Sequence, residues 1–121
     1  MTVQEDTVEV DTAIINKRRA EWIERCNEHD ASVLVDEVYA AVPLYYNHKP
    51  MIADKEALKE EYGYMNNPEY SLHLNPLHVE KVNSEMIFEI GQCSRSYNGK
   101  YILVWKKGEN ERWSVWIDSN I

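Results

Sequence analysis

Two side chains of this sequence could act as a proton donor or acceptor in a reaction. His48 follows the apolar segment Leu44–Asn47, and an unperturbed imidazole titrates near neutral pH. Glu89 lies between Phe88 and Ile90 in another apolar segment. A glutamate in such a place is either exposed or salt-bridged, which is the usual case, or turned inward with a raised pKa. We therefore predict His48 and Glu89 as the candidate catalytic residues.

Other kinds of catalytic site leave no pattern in the sequence. The histidines show no HxH or HExxH spacing and neither cysteine belongs to a CxxC pair, so we expect no metal. The sequence contains no GxSxG segment and no glycine-rich phosphate loop, and we expect no cofactor. Cys26 and Cys93 lie far apart in the chain and are predicted to be buried, reduced thiols.

The composition indicates one acidic globular domain formed by residues 1–121. Hydrophobic residues make up 44% of the 121 residues, and 13 basic against 21 acidic side chains give a net charge of −8. This length suits a single core, whereas the negative charge argues against binding to nucleic acid. The segment Met1–Asp6 is polar and acidic, and no apolar run is long enough for a membrane span. We therefore predict a cytoplasmic protein with no nucleic acid or membrane as partner.

Helical patterns occupy the first half of the chain and strand patterns the second half. Apolar spacing predicts helices over Asp11–Glu28, Ala31–Ala40 and Lys55–Tyr64, after a loose or partly helical lead-in at residues 1–8. Alternation predicts strands over Leu44–Asn47, Tyr70–Val82, Met86–Tyr97, Tyr101–Lys106 and Arg112–Asp118. Helices followed by a twisted antiparallel meander predict an α+β domain, in which the helices close one face of a curved sheet and leave a pocket.

Local signals set several boundaries of these elements. Asp30 and Asp54 are placed to cap the second and third helices. Pro43 should end the second helix, and Pro76 should mark a bulge or a sheet edge. The pair Asn98-Gly99 is typical of a two-residue hairpin turn.

Alternation along the last two strands assigns candidate residues to the pocket. Tyr101, Leu103 and Trp105 share one face of their strand, and Trp116 and Asp118 share one face of the last strand. If both faces are concave, they form an aromatic lining with Asp118 near the rim. The opposite face would be unusually apolar for an outer surface, and we therefore expect a homodimer formed through Ile102, Val104, Trp113, Val115 and Ile117.

Further pocket candidates come from the helices and from the other strands. Trp22 is either a core residue or a pocket wall that offers its indole N–H, and Tyr62 lies on the third predicted helix. Asn47 at the end of the first strand serves either a turn or the pocket. His73 lies on the polar side of its strand and either lines the cavity or meets solvent. The sequence leaves each of these alternatives open.

Short motifs spread from about Asp11 to Asn120 carry a family resemblance. They are Asn27-Glu-His-Asp30, Val38-Tyr39-Ala40, Asp54-Lys-Glu-Ala-Leu58, Ile87-Phe-Glu-Ile-Gly91, Tyr101-Ile-Leu-Val-Trp105 and Trp113-Ser-Val-Trp-Ile-Asp118. With them the chain resembles the nuclear transport factor 2-like superfamily, which includes ketosteroid isomerases, and most of all its SnoaL-like branch. The resemblance implies a cystatin-type cone in which N-terminal helices pack on a strongly curved antiparallel or mixed sheet. It also implies a pocket between the first helix and the sheet, and commonly a homodimer formed through the sheet.

The resemblance does not carry over the catalytic residues of the ketosteroid isomerases. Those enzymes use an aspartate base on the first strand, with a helix-one tyrosine and a protonated aspartate as oxyanion hole. The matching positions here are Asn47, Trp22 and Leu103. An amide has no useful basic lone pair and a leucine donates no hydrogen bond, so this mechanism is not expected. A shift of one residue in the alignment would place His48, instead of Asn47, near the pocket.

These observations predict a small-molecule-binding protein whose ligand is largely apolar or aromatic. One alternative is a cofactor-free isomerase, cyclase or hydrolase that uses His48 or Glu89 to move a proton. Another is an assembly module with a vestigial cavity. A carboxylate with a perturbed pKa inside the cavity would favour an enzyme, whereas a cavity filled by its own side chains would favour an assembly module.

Overall fold

The computed structural model describes residues 2–121, with side chains from residue 10 onward. Over these residues the chain forms α1 Thr2–Asn27, α2 Ala31–Val38, β1 Tyr39–Tyr46, α3 Lys55–Glu61, a 3-10 helix Tyr62–Asn66, β2 Leu72–Asn83, β3 Met86–Arg95, β4 Gly99–Lys107 and β5 Trp113–Asn120. The predicted α+β class is therefore confirmed.

The first helix is longer than the sequence predicted. It begins at Thr2, nine residues before the predicted start at Asp11, so the lead-in is helical and its loose alternative is wrong from Thr2 onward. Met1 lies outside the described residues. Acidic residues are favoured near a helix amino terminus because they interact with the helix dipole, which accounts for the helical start. Ile15, Trp22 and Cys26 form the buried face.

The end of α1 is tied directly to the sheet. Asn27 donates a hydrogen bond to the Leu72 carbonyl at 3.2 Å and accepts one from the Leu72 N–H at 3.0 Å. These two bonds join the last helical residue to the first residue of β2. The helix is thereby held across the face of the sheet on which the cavity lies.

The second helix ends earlier than predicted, because β1 begins at Tyr39 and contains Pro43. The predicted role of Pro43 as a helix stop is wrong. In the five-stranded sheet β1 is an edge strand next to β5, with an irregular register between Tyr39 and Leu44; Tyr45 also forms an isolated antiparallel bridge with Ile52. A proline is tolerated there because its missing N–H need not serve a ladder. The predicted Asp30 cap is present, since its carboxylate accepts from Val33 N–H at 3.2 Å.

The third helix is capped as predicted but changes type before its predicted end. Asp54 accepts hydrogen bonds from the N–H groups of Glu56 and Ala57. The α-helix ends at Glu61, and the chain continues as the 3-10 helix. This tighter turn directs Tyr62 and Met65 into the interior.

The five strands form one mixed sheet in the order β1-β5-β4-β3-β2, with β1 parallel to β5 and every other pair antiparallel. We call the helix-covered face the inner face and the opposite face the outer face. Ile87, Leu103, Trp105 and Val115 are buried on the inner face. The register shifts after Pro76, so the predicted bulge is confirmed there.

A second bulge, at Trp116, changes which residues of β5 face inward. Trp105 pairs with Val115 and Val104 pairs with Ile117, which leaves Trp116 as the extra residue. Trp113, Val115 and Asp118 are consequently buried. The predicted grouping of Trp116 with Asp118 is wrong, and Trp113 and Val115 do not belong to the outer face. Period-two alternation failed here because a bulge inserts one residue into the count.

Candidate functional site

A cavity of about 460 Å³ lies between α1, the 3-10 helix and the inner face of the sheet. Trp22 contributes from α1, Leu72 and Leu74 from β2, and Leu103 from β4. The remaining wall is dominated by six tyrosines, namely Tyr45, Tyr62, Tyr64, Tyr70, Tyr97 and Tyr101. The exposed Lys49 and Glu60 mark the opening. The cavity is thus aromatic inside and charged at its mouth.

Asp118 and two tyrosines form a buried polar cluster at the wall of this cavity. The hydroxyl oxygens of Tyr39 and Tyr62 lie within hydrogen-bond distance of Asp118 Oδ2, at 2.6 and 2.7 Å. The two phenolic oxygens are themselves 2.8 Å apart, and Trp22 Nε1 donates to the Tyr39 hydroxyl at 3.1 Å. Tyr62 and Asp118 line the cavity. Residues of α1, β1, the 3-10 helix and β5 therefore converge on one carboxyl group.

Burial dominates the electrostatics of this cluster. It raises the pKa of Asp118, and the hydrogen bonds from Tyr39 and Tyr62 offset the increase only in part. Burial and the neighbouring Asp118 also raise the pKa of both tyrosines, which keeps their hydroxyl groups protonated as donors. Asp118 is therefore the cavity carboxylate with a perturbed pKa.

Glu89, one of the two predicted catalytic residues, is a structural residue in this fold. It is fully buried, and its carboxylate accepts two hydrogen bonds from Arg19, at 2.9 and 2.7 Å. The Tyr101 hydroxyl at 2.5 Å and Trp105 Nε1 at 3.3 Å complete its partners. Glu89 is not among the cavity-lining residues. The ion pair of Glu89 with Arg19 joins α1 to the sheet. Of the alternatives predicted for Glu89, the salt-bridged one is therefore correct.

His48, the other predicted catalytic residue, lies outside the cavity. It is exposed at the end of β1 with a left-handed backbone (φ 57°). Its ring packs edge-on against Tyr46, with 5.7 Å between the ring centroids. The adjacent Asn47 and Lys49 line the cavity instead. The turn conformation directs the imidazole away from the site.

The predicted pocket residues divide into two groups. Those that line the cavity are Trp22, Asn47, Tyr62, Tyr101, Leu103 and Asp118. His73 lies on the outer face, because Leu72 and Leu74 on either side of it point into the cavity. Trp105 is buried beyond the cavity against Glu89, and Trp116 lies outside with Lys106 Nζ 4.7 Å from its ring centroid.

Tyr101 reaches Glu89 across a glycine. A Cβ atom on Gly91 would lie 2.3 Å from the Tyr101 hydroxyl oxygen and 2.5 Å from the Asn75 carbonyl oxygen. Only glycine leaves room for the phenol at this point. The same ring therefore forms a wall of the cavity and a partner of the buried ion pair.

Sequence reasoning missed Tyr39 and Cys93. Tyr39 falls within the second predicted helix, Ala31–Ala40, and the available signal was its position ahead of the first predicted strand. Cys93 lines the cavity as a neutral thiol, because burial raises its pKa to about 11. Among the side chains of residues 10–121, no three His, Cys, Asp or Glu groups come together as a metal-binding set. No helix in the described part of the chain is long and apolar enough to cross a membrane.

Comparison with known proteins identifies the fold. No protein-family model matches the sequence, and no curated protein sequence matches it. Solved structures do match. An NTF-2 like protein of unknown function from Shewanella oneidensis is 14% identical with a TM-score of 0.77, and the match covers 91% of this chain and 98% of that one.

Two further structures carry functional names. A ketosteroid isomerase-like protein from Erwinia carotovora has 15% identity and a TM-score of 0.66, over 90% of this chain and 95% of that one. A hexachlorocyclohexane dehydrochlorinase from Novosphingobium barchaimii has 10% identity and a TM-score of 0.76, over 97% and 89%. The chain therefore has the nuclear transport factor 2-like fold, as the sequence motifs predicted. Its assignment to the SnoaL-like branch stays a prediction.

Proposed function

We propose that this protein binds a small, largely apolar or aromatic molecule in the cavity. The observation that carries this proposal is the cavity of about 460 Å³, walled by Trp22 and six tyrosines around the Asp118 carboxyl. Ligand sites commonly have volumes of this order, with mostly apolar walls and a few convergent polar groups. Tyrosine and tryptophan supply large contact area together with polar tips that orient a ligand. The open volume also favours a binding role over an assembly module with a filled cavity.

A pair of leucines on β2 provides a matched test. Leu74 lines the cavity, whereas Leu77 is 62% exposed on the same strand. We expect Leu74→Trp to weaken binding of an aromatic probe such as 2-naphthol by at least about tenfold, because the indole occupies ligand volume. Leu77→Trp should leave the affinity unchanged. Titration by calorimetry measures both, and equal affinities for Leu74→Trp and the unmodified protein would contradict the proposal. Native mass spectrometry of freshly purified protein would report any retained ligand.

A cofactor-free enzyme is the second candidate function, and Asp118 is the observation that favours it. This carboxyl lines the cavity and has a raised pKa, which is the property expected of an acid or base tuned toward neutral pH. An isomerase, cyclase or hydrolase of this kind would use Asp118 in place of His48 or Glu89. The dehydrochlorinase among the structural matches is an enzyme by its name. An enzymatic role predicts that Asp118→Asn abolishes turnover while ligand binding persists.

We also infer that two copies pair through the outer face of the sheet. Apolar side chains that are only half buried in the single chain lie together on this face, namely Phe88, Ile90, Ile102, Val104, Trp116 and Ile117. An apolar patch of this kind favours association with a matching surface. We retain the cytoplasmic location as a proposal because both cysteines are free thiols, which suits a reducing compartment.

A further inference from the structure

We propose that Asp118 is a carboxylic acid in the folded protein and that its free oxygen accepts a hydrogen bond from the ligand. The ligand is therefore a neutral molecule with a hydroxyl group or a similar donor. This inference rests on the proposed binding function and specifies the chemistry of that same site.

The number of hydrogens in the cluster decides the protonation state of Asp118. The three oxygens, Asp118 Oδ2 and the hydroxyls of Tyr39 and Tyr62, form a triangle with edges of 2.6, 2.7 and 2.8 Å. Each edge has the length of an O–H···O hydrogen bond and needs one hydrogen. Two tyrosines supply two hydrogens. If Asp118 were ionised, one edge would place two lone pairs against each other.

A third hydrogen on Asp118 removes this conflict. Each of the three groups then donates once and accepts once around the triangle, in either direction. The Trp22 indole cannot substitute for it, because its N–H already donates to the Tyr39 oxygen and lies on none of the three edges. The separations between the oxygens therefore indicate a neutral acid.

Within residues 10–121, no cationic side chain hydrogen-bonds to Asp118 or contributes to the shift of its pKa. Its titratable neighbours are Tyr39 and Tyr45 from β1, Tyr62 and Tyr64 from the 3-10 helix, and Cys93 from β3. Burial raises the pKa of each of them, so all are neutral near pH 7. Leu103 on β4 is the residue opposite Asp118 in the pairing of β4 with β5. A buried carboxyl without a cationic partner is more stable in its neutral form.

The second oxygen of Asp118 is left for the ligand. Both tyrosines contact Oδ2, and Oδ1 has no hydrogen-bond partner among the described side chains. Within residues 10–121, Trp113 Nε1 is the one fully buried polar side-chain atom without a partner. Asp118 Oδ1 also lacks a partner, so it is not fully buried. Because Asp118 lines the cavity, Oδ1 is accessible from there. Because the acid hydrogen is bound to Oδ2, Oδ1 is a carbonyl oxygen that can only accept hydrogen bonds. A ligand hydroxyl or N–H complements it, and a ligand carbonyl does not.

The charges at the mouth of the cavity argue against an anionic ligand. Glu60 and Glu61 line the opening together with Lys49. The Lys49 ammonium lies 3.5 Å from the Glu61 carboxylate and is 68% exposed, so it offers little to a ligand carboxylate. A cationic ligand would require Asp118 to lose the hydrogen that completes the triangle. A neutral donor fits both constraints.

Infrared difference spectroscopy tests the protonation state directly. The spectrum of the unmodified protein minus that of Asp118→Asn at pH 7 should contain the C=O stretch of a protonated carboxylic acid. Asparagine is a matched control because its amide has nearly the same shape, with an NH2 group that donates in place of the acid hydroxyl and a carbonyl oxygen that accepts. A difference spectrum that shows only carboxylate bands would overturn the proposal.

Binding of naphthalene probes tests the ligand class. We expect 2-naphthol to bind at least about tenfold more tightly than 2-methoxynaphthalene, the difference that one hydrogen bond makes, and more tightly than 2-naphthoate or 2-naphthylmethylammonium. Asp118→Asn should keep the preference for naphthol over its methyl ether, and Asp118→Leu should lose it. Tighter binding of the ammonium probe, or equal binding of naphthol and its ether, would overturn the proposal.

The proposed binding function and the proposed ligand chemistry can be contradicted separately. If none of the four probes binds, the proposed cavity function is contradicted, while the infrared result still decides the state of Asp118. If the ether binds as tightly as naphthol, the cavity binds small molecules and only the donor specificity is wrong. Should Asp118→Leu fail to fold, as judged by near-ultraviolet circular dichroism, the naphthol preference of the unmodified protein and of Asp118→Asn still decides the matter.

Discussion

Arg19 on α1 and Glu89 on β3 form a two-point ion pair inside the protein. The Arg19 Nε and Nη2 atoms donate to the two Glu89 carboxylate oxygens at 2.9 and 2.7 Å, and only 7% of the Arg19 side chain and none of the Glu89 side chain is exposed. Tyr101, a wall of the cavity, donates to the same carboxylate. The pair therefore fixes both the helix and the cavity wall relative to the sheet.

Breaking this pair should destabilise the protein strongly. Arg19→Met leaves a buried carboxylate without its cation, and we expect the free energy of unfolding in urea to fall by about 3–5 kcal/mol. The double variant Arg19→Met/Glu89→Leu should recover much of the loss, because no uncompensated charge remains. Lys49→Ala, which removes an ion pair of a largely exposed lysine with Glu61, is the control and should change stability little. A loss from Arg19→Met as small as that of Lys49→Ala would contradict this interpretation.

The raised pKa of Asp118 predicts how stability depends on pH. A carboxyl whose pKa is higher in the folded than in the unfolded state binds more protons when folded, so its stabilising effect declines as pH rises. Relative to Asp118→Asn, the unmodified protein should be most stable below the ordinary pKa of 3.8 and should lose that advantage progressively toward the raised value. Urea unfolding of both proteins over a series of pH values measures the difference. An advantage that grows with pH would show that Asp118 is instead stabilised as a carboxylate.

Tyr39→Phe should cost stability through two groups at once. The change removes one hydroxyl from the Asp118 cluster and leaves the Trp22 indole N–H without its acceptor. We expect a decrease of about 1–3 kcal/mol in the free energy of unfolding, the usual effect of an unsatisfied buried polar group. Tyr46→Phe is the control, since Tyr46 is 41% exposed on the same strand. Equal effects of the two substitutions would argue against the cluster.

The outer face predicts the oligomeric state. We expect light scattering after size-exclusion chromatography to give the mass of a dimer, and Val104→Lys to convert it to a monomer by placing a charge in the apolar patch. Val10→Lys changes an apolar residue of α1 that is 57% exposed away from this face and should remain dimeric. A monomeric unmodified protein at micromolar concentration would refute the inference.

The two thiols should be unreactive in the folded protein. Burial raises the pKa of Cys93 to about 11 and that of Cys26 to about 12, so on the order of one Cys93 in a thousand is a thiolate at pH 8. Iodoacetamide at pH 8 should leave the intact mass of the native protein unchanged and should modify both cysteines in urea. Rapid labelling of native Cys93 would mean that the cavity is more open and polar than the structure shows.

Features that depend on a few adjacent residues could mostly be predicted without the folded structure. The caps at Asp30 and Asp54 and the bulge at Pro76 were predicted correctly for this reason. The two-residue turn predicted at Asn98-Gly99 is wrong, because Gly99 already pairs with Cys93 in β4 and the connection consists of residues 96–98. The order of helices and strands, and with it the α+β class, followed from apolar periodicity, whereas the nuclear transport factor 2-like fold was predicted from the resemblance of short motifs to that superfamily. Alternation placed Tyr101 and Leu103 toward the cavity, and Trp22 was left open between the core and the cavity wall.

The groups that meet in the site could not be identified before the chain's fold was known. The partners of Asp118 are 79 and 56 residues away in the chain, at Tyr39 and Tyr62, and no local pattern predicts a contact of that range. The bulge at Trp116 reversed the faces of β5, because a single inserted residue shifts a period-two pattern. Glu89 was predicted as a catalytic residue because a carboxyl group can transfer a proton, but it forms an ion pair with Arg19, 70 residues earlier in the chain. Side-chain chemistry can be read from a sequence, whereas burial and long-range pairing, which set whether that chemistry is available, arise only when the chain folds.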